Sequence, residues 1–333
     1  MITIKNIAKI AGVSHTTVSR ALNDSPLIKP ETKTRIKNIA KQLGYVPNYS
    51  AKNLVLQKSH TIGLFLSSLS QGTSASFLVN IIHGVSSVIS KNSNYTLSVH
   101  GLDIMKDFST VVPQHFDGII LASQSEQDES FVEHVITQNI PLVILNRVSN
   151  TPNISTVLTN DRLGVKHAID FAIENGHTRI GIIEGKHGFK STIERKSGFL
   201  ESLSSHALSL PSSYAVIGDY TTESGYEKML ELLDLDMPPT LVFCSNDDMA
   251  IGAIKACHAK NLRIPDDISI IGFDDILFAK YTAPALTTVH KPMTTISKTG
   301  ANQLLWLLEN PTDSPKQIIL DTSFEIRNSV AKK

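Results

Sequence analysis

Cysteine and tryptophan are scarce in this 333-residue chain, which holds two cysteines, Cys244 and Cys257, and one tryptophan. Two thiols without CxxC spacing exclude a disulfide framework and give no basis for a structural zinc site, so they read as buried, reduced side chains. Long apolar runs are missing too. No stretch approaches the roughly 18 residues that a bilayer span requires. The opening MITIKNIAKI lacks the apolar core and small-residue cleavage site of a secretory signal. The expectation is a cytoplasmic protein with no membrane partner. With 41% hydrophobic residues the chain is neither disordered nor fibrous, and its length suggests two or three domains.

Net charge is the last absence, since 31 Lys and Arg balance 31 Asp and Glu. The balance hides a division. Residues 1–58 hold ten basic residues against Asp24 and Glu31, a net +8, which leaves −8 on the other 275 residues. A small basic head on a larger acidic body points to a nucleic-acid module joined to a regulatory or catalytic domain.

Within the head, Ile4, Ile7, Ala8 and Ala11 form one apolar helical stripe, with Thr3 placed to cap it and Gly12 to end it. Ser14 is placed to cap a second helix with Val18, Ala21 and Leu22 inward and His15, Thr16, Thr17 and Arg20 outward. A third helix is predicted from Pro30 to Leu43, closed by Gly44. This is helix-turn-helix spacing, although a plain three-helix bundle with a solvated basic face shares its stripe. The exposed side chains separate the two. Short hydroxyl and imidazole groups suit base edges in a major groove, and Arg20, Lys29, Lys33 and Lys37 suit phosphates.

The string TIKNIAKIAGVSHTTVSRALN, followed by GYVPN and AKNL, resembles the amino-terminal module of the LacI/GalR family of bacterial transcription regulators. That resemblance implies operator contacts from Thr3, Ser14, His15, Thr16, Thr17, Ser19, Arg20, Asn23, Lys29 and Tyr45. It also implies a hinge helix from Asn48 to Val55, with Asn48, Ala51 and Lys52 on DNA and Leu54 as a wedge between base pairs. A segment this short is not helical alone in water, and paired wedges require a homodimer on a near-palindromic site. Packing against the core is the alternative role for Leu54.

From Thr61 onward short apolar runs alternate with amphipathic stretches: TIGLFLS, IIHGVSSVI, GIILAS, FVEHVI, LVILN. The rhythm restarts at RIGIIEG and continues through TLVFCSND and ISIIGFDD. This βαβ pattern predicts two open parallel-sheet α/β halves. Polar pairs close several strands, namely Ser123 with Gln124, Asn246 with Asp247 and Asp274 with Asp275, where ligands bind in such sheets. Enzymatic readings find little support: there is no complete phosphate loop, GxGxxG or HExxH, and no cofactor or metal is called for. A carbohydrate-acting α/β enzyme and a DNA-free solute receptor are the alternatives.

GHTRIGII, ERKSGF, DYTTESGYE, PTLVFCSNDDMAIGA, RIPDDISIIGFDD and ALTTVHKP extend the resemblance over nearly the whole chain. It implies a periplasmic-binding-protein-like core. The expected boundaries are a DNA-binding domain at 1–47, a hinge and linker at 48–58, and an effector and dimerisation core at 59–333. In that core the N-subdomain takes about 59–158 and 291–320, and the C-subdomain about 159–290 and 321–333. Effector contacts are implied at Arg195, Asn246 and Asp274, then Asp161, Ser191 and Tyr220, groups suited to a polyol. Tyr220 also reads as core. Loop SSLSQGTSASF departs from the family pattern. Basic residues near the expected cleft, Arg147 and Lys190, with Ser123 at a strand end, suggest a sugar acid as effector, as in regulators of hexuronate use in Gram-positive bacteria. Lys186 reads as solvated. The resemblance implies a repressor, dimeric and nucleoid-associated, whose operator affinity a sugar or sugar acid controls.

Overall fold

The computed structural model describes residues 2–45, 58–69, 74–91, 94–149, 151–152 and 154–333. The chain divides into two compact units, Met1–Gln57 and Lys58–Lys333. In the first, α1 (Ile4–Ala11), α2 (His15–Leu22) and α3 (Pro30–Gln42) close around Ile7, Ala8, Ala11, Val18, Ala21, Ile36 and Ala40. Residues three and four apart share a helix face, so the stripe in IAKIA becomes the inner side of α1. Gly12 ends α1 at φ 64°, in the left-handed region, and the Val13 N–H reaches back to the Ala8 carbonyl at 3.1 Å. Ser14 then caps α2 by accepting from the Thr17 N–H at 3.1 Å. The turn thus uses three residues. From α3, the Arg35 guanidinium donates to the Ala11 carbonyl at 2.9 Å, satisfying a group that the end of α1 leaves open.

The second unit contains two lobes, each built on a six-stranded sheet. The first lobe begins with β1 (Thr61–Leu66), α4 (Ala75–Ile89), β2 (Thr96–Gly101), β3 (Gly118–Ala122), α5 (Glu129–Thr137), β4 (Leu142–Leu145) and β5 (Ser155–Thr159). The chain then crosses to the second lobe, where α6 (Asp161–Glu174), β6 (Ile180–Glu184), α7 (Lys190–Ser205), β7 (Ala215–Ile217) and α8 (Thr222–Leu233) follow in turn. This lobe continues with β8 (Leu241–Cys244), α9 (Asp247–Ala259), β9 (Ser269–Asp274) and β10 (Thr287–His290). A second crossing leads to α10 (Met293–Glu309) and β11 (Gln317–Leu320) on the first lobe, and a third returns the chain as β12 (Ser323–Glu325).

Sheet order is β11-β5-β4-β3-β1-β2 in one lobe, all parallel. In the other it is β12-β10-β9-β8-β6-β7, parallel except where β12 runs against β10. Helices cover both faces of each sheet, which is why GIILA, LVIL and LVFC are apolar without alternation and wholly buried. On β1, Ile62, Leu64 and Leu66 face the core shared with α4 and α10, while Phe65 joins Phe131 and Val132 of α5 on the opposite face. On β8, Val242 and Cys244 pack with Met249, Ala250 and Ala253 of α9, whereas Leu241 and Phe243 meet Val165 and Ala168 of α6 and Phe199 of α7.

Helices α8 and α9 approach through two glycines. A Cβ on Gly225 would stand 2.2 Å from the Met249 carbonyl oxygen, and one on Gly252 would stand 2.0 Å from that of Thr222. Strand order reverses between β1 and β3 and again between β6 and β8, the switch points beyond whose carboxyl ends such sheets hold ligands. Among the described residues no helix is long and apolar enough to cross a membrane.

Candidate functional site

On the helical unit, Ser14, His15, Thr16, Arg20 and Asn23 of the second helix and its flanks are exposed, and Thr17 and Ser19 are half-buried. Several of these groups also serve the fold. Thr3 donates its N–H and its hydroxyl to Asn6 Oδ1 at 2.9 and 2.7 Å, and Asn23 Nδ2 donates to the Ser19 carbonyl at 2.9 Å. Lys29 precedes α3 and is exposed, whereas Tyr45 packs half-buried against the helical core. Lys33 and Lys37, read from sequence as phosphate groups, are held on one turn instead. Lys37 Nζ pairs with Asp24 at 2.6 Å, and Lys33 Nζ donates to the Asp24 carbonyl at 3.0 Å. Asn48, Ala51, Lys52 and Leu54 lie outside the described residues.

Between the lobes is a cleft. Ser74, Phe77, Gln124 and Asn146 line it from the first lobe, Ser191, Arg195, Tyr220, Asn246 and Asp274 from the second, and Lys291 from the second crossing. The strand-end rule accounts for most of this wall: Gln124 follows β3, Asn146 follows β4, Asn246 follows β8, Asp274 ends β9 and Lys291 follows β10. Backbone geometry marks the same positions. Asn146 (φ 72°), Tyr220 (φ 74°), Asp274 (φ 109°) and Asp275 (φ 55°) are all left-handed, a conformation unusual for a residue as large as tyrosine and concentrated at functional sites.

Arg195 is the centre of the wall. It is 4% exposed, donates from Nε to Asp161 Oδ2 at 3.0 Å, from Nη2 to Asp274 Oδ1 at 3.3 Å and from Nη1 to the Ser245 carbonyl, and lies 3.7 Å above the Phe273 ring. Burial opposes its charge, but Asp161 and Asp274 outweigh that and hold the guanidinium above its ordinary range. Asp161 sits behind the wall and joins two cations, since Lys291 Nζ also donates to its Oδ2 at 3.1 Å and the Thr159 hydroxyl donates to Oδ1 at 2.6 Å. Burial raises the Asp161 carboxyl, yet Lys291 and Arg195 keep it below the usual value. Asp274 goes the other way, pushed up to about 6 by burial against the pull of Arg195 and Lys291.

The remaining wall is polar with an aromatic patch. The Tyr220 hydroxyl lies 3.0 Å from Ser191 Oγ and 2.8 Å from Thr192 Oγ1, and its ring stacks on Phe189. Asn246 caps α9 by accepting from the Met249 N–H at 2.9 Å and donates to the Tyr220 carbonyl at 3.0 Å. At the rim the lobes touch: Ser74 Oγ donates to Asp248, and the Lys190 N–H donates to the Gln124 carbonyl at 3.0 Å.

Four sequence assignments are corrected here, the first being Asp161, which lies behind the wall and is not part of the lining. Arg147 is 2% exposed and spent on Glu129 at 2.9 Å, on Ser123 Oγ at 2.5 Å and on the Val148 carbonyl at 3.2 Å, so it braces the first lobe away from the cleft wall. Ser123 is fully buried in the same network, beside Asp128 at 2.7 Å. The Lys190 ammonium stands 3.6 Å from Glu194, one helical turn along α7, and is not part of the lining. Sequence reasoning missed Asn146 and Lys291: Asn146 follows the apolar strand LVIL, the signal that singled out Asn246, whereas Lys291 follows TTVH, which carries no such signal.

Known proteins resemble the chain throughout. The model described as "Bacterial regulatory proteins, lacI family" matches residues 3–48, and the "Periplasmic binding protein-like domain" matches 169–330. The probable HTH-type transcriptional repressor ExuR of Bacillus subtilis is 51% identical over 332 residues, covering 100% of this chain and 99% of that protein. The ribose operon repressor of Haemophilus influenzae is 30% identical, covering 99% of both. A solved complex of the transcriptional regulator CelR with cellobiose superposes with a TM-score of 0.75 at 27% identity, covering 99% of this chain and 100% of that one. With a matching DNA-binding module, the same two-lobed fold and half of its residues shared end to end with such a repressor, the chain belongs to the lacI family of bacterial regulatory proteins.

Proposed function

We propose that this chain is a sequence-specific transcriptional repressor, acting as a cytoplasmic homodimer on a near-palindromic operator, whose grip on DNA is set by a small sugar or sugar acid held between the lobes. It carries out no chemistry on that ligand. One observation supports this reading above others: a single chain joins a helix-turn-helix unit that leaves His15, Thr16 and Arg20 exposed to a two-lobed unit whose cleft is walled by Arg195, Asp274 and Tyr220. Ionised and amide groups bracket adjacent hydroxyls with directional hydrogen bonds, and an aromatic face covers an apolar ring face. Relatives described by a ribose operon and by a cellobiose complex support a sugar.

In this reading His15, Thr16 and Thr17 meet base edges, Arg20 and Lys29 meet phosphates, and Leu54 is the minor-groove wedge. The effector acts by linkage. If it favours a lobe arrangement that the operator-bound dimer disfavours, it weakens DNA binding by the factor by which DNA weakens effector binding.

Selection from a random duplex library tests the DNA half. The native chain should return a two-fold symmetric consensus, and Thr16→Ala should relax it at one position in each half-site; an unchanged consensus removes Thr16 from base readout. A melting screen of neutral sugars, sugar acids and nucleobases tests the other half. A stabilising purine with silent sugars would overturn the sugar reading.

A further inference from the structure

Two polar groups on the cleft wall have hydrogen-bonding capacity that the protein does not use. Lys291 is 5% exposed, and among the described residues its ammonium has one hydrogen-bond partner, Asp161 Oδ2 at 3.1 Å. An ammonium carries three N–H donors, so two remain in a buried place. Asn146, on the other lobe, has both side-chain polar atoms buried without a partner among the described residues. Leaving such groups unmatched costs stability, and a ligand recovers that cost by bringing acceptor oxygens to the Lys291 ammonium and Asn146 Nδ2 and a hydroxyl donor to Asn146 Oδ1.

Arg195 is balanced in charge, with at most two of its five N–H donors left for hydroxyls. Two carboxylates, a carbonyl and an aromatic face already occupy it. Lys291 shares a single carboxylate with Arg195 and is therefore the less neutralised cation of the wall, and the backbone around it is fixed: its N–H donates to the Asp274 carbonyl at 3.3 Å, and its carbonyl accepts from Met293 at 2.7 Å.

We propose that Lys291 is the specificity-determining residue of the cleft, anchoring a carboxylate on the effector with the Asn146 amide as second donor, so that the site prefers a sugar acid to the matching neutral sugar. The assignment rests on the cleft being the effector site. A carboxylate offers two oxygens to two donors, and to a buried ammonium it brings an opposite charge that a neutral hydroxyl lacks. Arg195, Asp274 and Tyr220 are left for the ring and its hydroxyls. The acidic neighbours accommodate the added charge: Asp161 is already shared between Arg195 and Lys291, and Asp274, with a carboxyl near 6, takes up a proton readily.

Titration calorimetry on the full chain with two matched pairs, D-galacturonate against D-galactose and D-glucuronate against D-glucose, tests this. The native chain should bind at least one acid about 10-fold or more tighter than its neutral partner, the scale of one charge-assisted hydrogen bond. In Lys291→Met that ratio should fall toward one, and in Lys291→Arg, which keeps the charge, part of it should return. Asp161 still faces Arg195 in both variants, and a melting curve for each establishes that it is folded. A preference that survives Lys291→Met, or a native chain that binds the neutral sugars as well as the acids, overturns the role of Lys291 and leaves the sugar reading standing. No binding of any member of either pair, with other sugars and sugar acids also silent in the melting screen, overturns the effector class and this assignment with it.

Discussion

Asp274 shows at the scale of one residue how the cleft is held under tension. Its carboxyl stands at about 6 in the folded chain against an ordinary 3.8, with burial first among the causes. Arg195 from α7 and Lys291 from the second crossing draw it down, while Asp161 from α6 and Asp248 from α9 push it up. An acid that binds its proton more tightly when folded favours folding below the unfolded pKa, and this contribution is lost as pH rises through the folded one. The window runs from about pH 4 to about pH 6, and above it the buried charge costs on the order of 3 kcal/mol. Asp274→Asn removes that cost while keeping a residue that tolerates φ 109°. Without ligand, the variant should resist denaturant better than the native chain at pH 7.5, by about 2 kcal/mol once the weakened Arg195 contact is counted, and the gap should narrow by pH 5. A gap that does not change with pH would remove the buried charge as its cause.

At the scale of elements, the turn between α1 and α2 depends on backbone more than on side-chain contact. A Cβ on Gly12 would meet nothing within 4 Å, so its left-handed φ of 64° is the whole reason for glycine there. Gly12→Ala should therefore destabilise the helical unit by about 1 kcal/mol and Gly12→Asn by less. Hydrogen exchange at the Val18 and Ala21 amides should accelerate several-fold in the alanine variant while the β8 amides stay protected; equal protection in both variants would contradict the strain argument. The sheets follow a different logic. Apolar runs such as LVFC declare burial on both faces but not which partner covers which face. That is settled by pairing, which sends Val242 and Cys244 toward α9 and Leu241 and Phe243 toward α6 and α7.

For the whole molecule, charge placement governs the DNA step. Residues 1–58 carry a net +8, yet Lys37 is already paired with Asp24, whereas the Arg20 guanidinium has no partner among the described residues. Operator binding should weaken steeply with salt, by about 10³-fold or more between 50 and 200 mM if a dimer holds six or more phosphates. Arg20→Ala should reduce the slope of log K against log salt by about 2 per dimer, one contact in each half, and Lys37→Ala should change it less. Equal slopes for the two variants would show that the Asp24 pair opens on DNA.

Helices of the DNA-binding unit, their caps and the βαβ rhythm were legible because each is a local matter of periodicity, turn chemistry and capping. Arg195, Asp274 and Tyr220 were legible by resemblance, and the strand-end rule explains why they meet. Arg147 was misread because a basic residue one position beyond a strand looks the same in sequence whether it faces a ligand or, as here, Glu129 and Ser123. Asn146 and Lys291 were passed over for the converse reason. What the sequence determines by itself is the set of elements, the apolar faces and the basic head, since these arise between near neighbours in the chain. Only the tertiary structure decided which polar groups consume one another and which are left for a ligand, because that balance is struck across 130 positions between Asp161 and Lys291, on two separate crossings between the lobes.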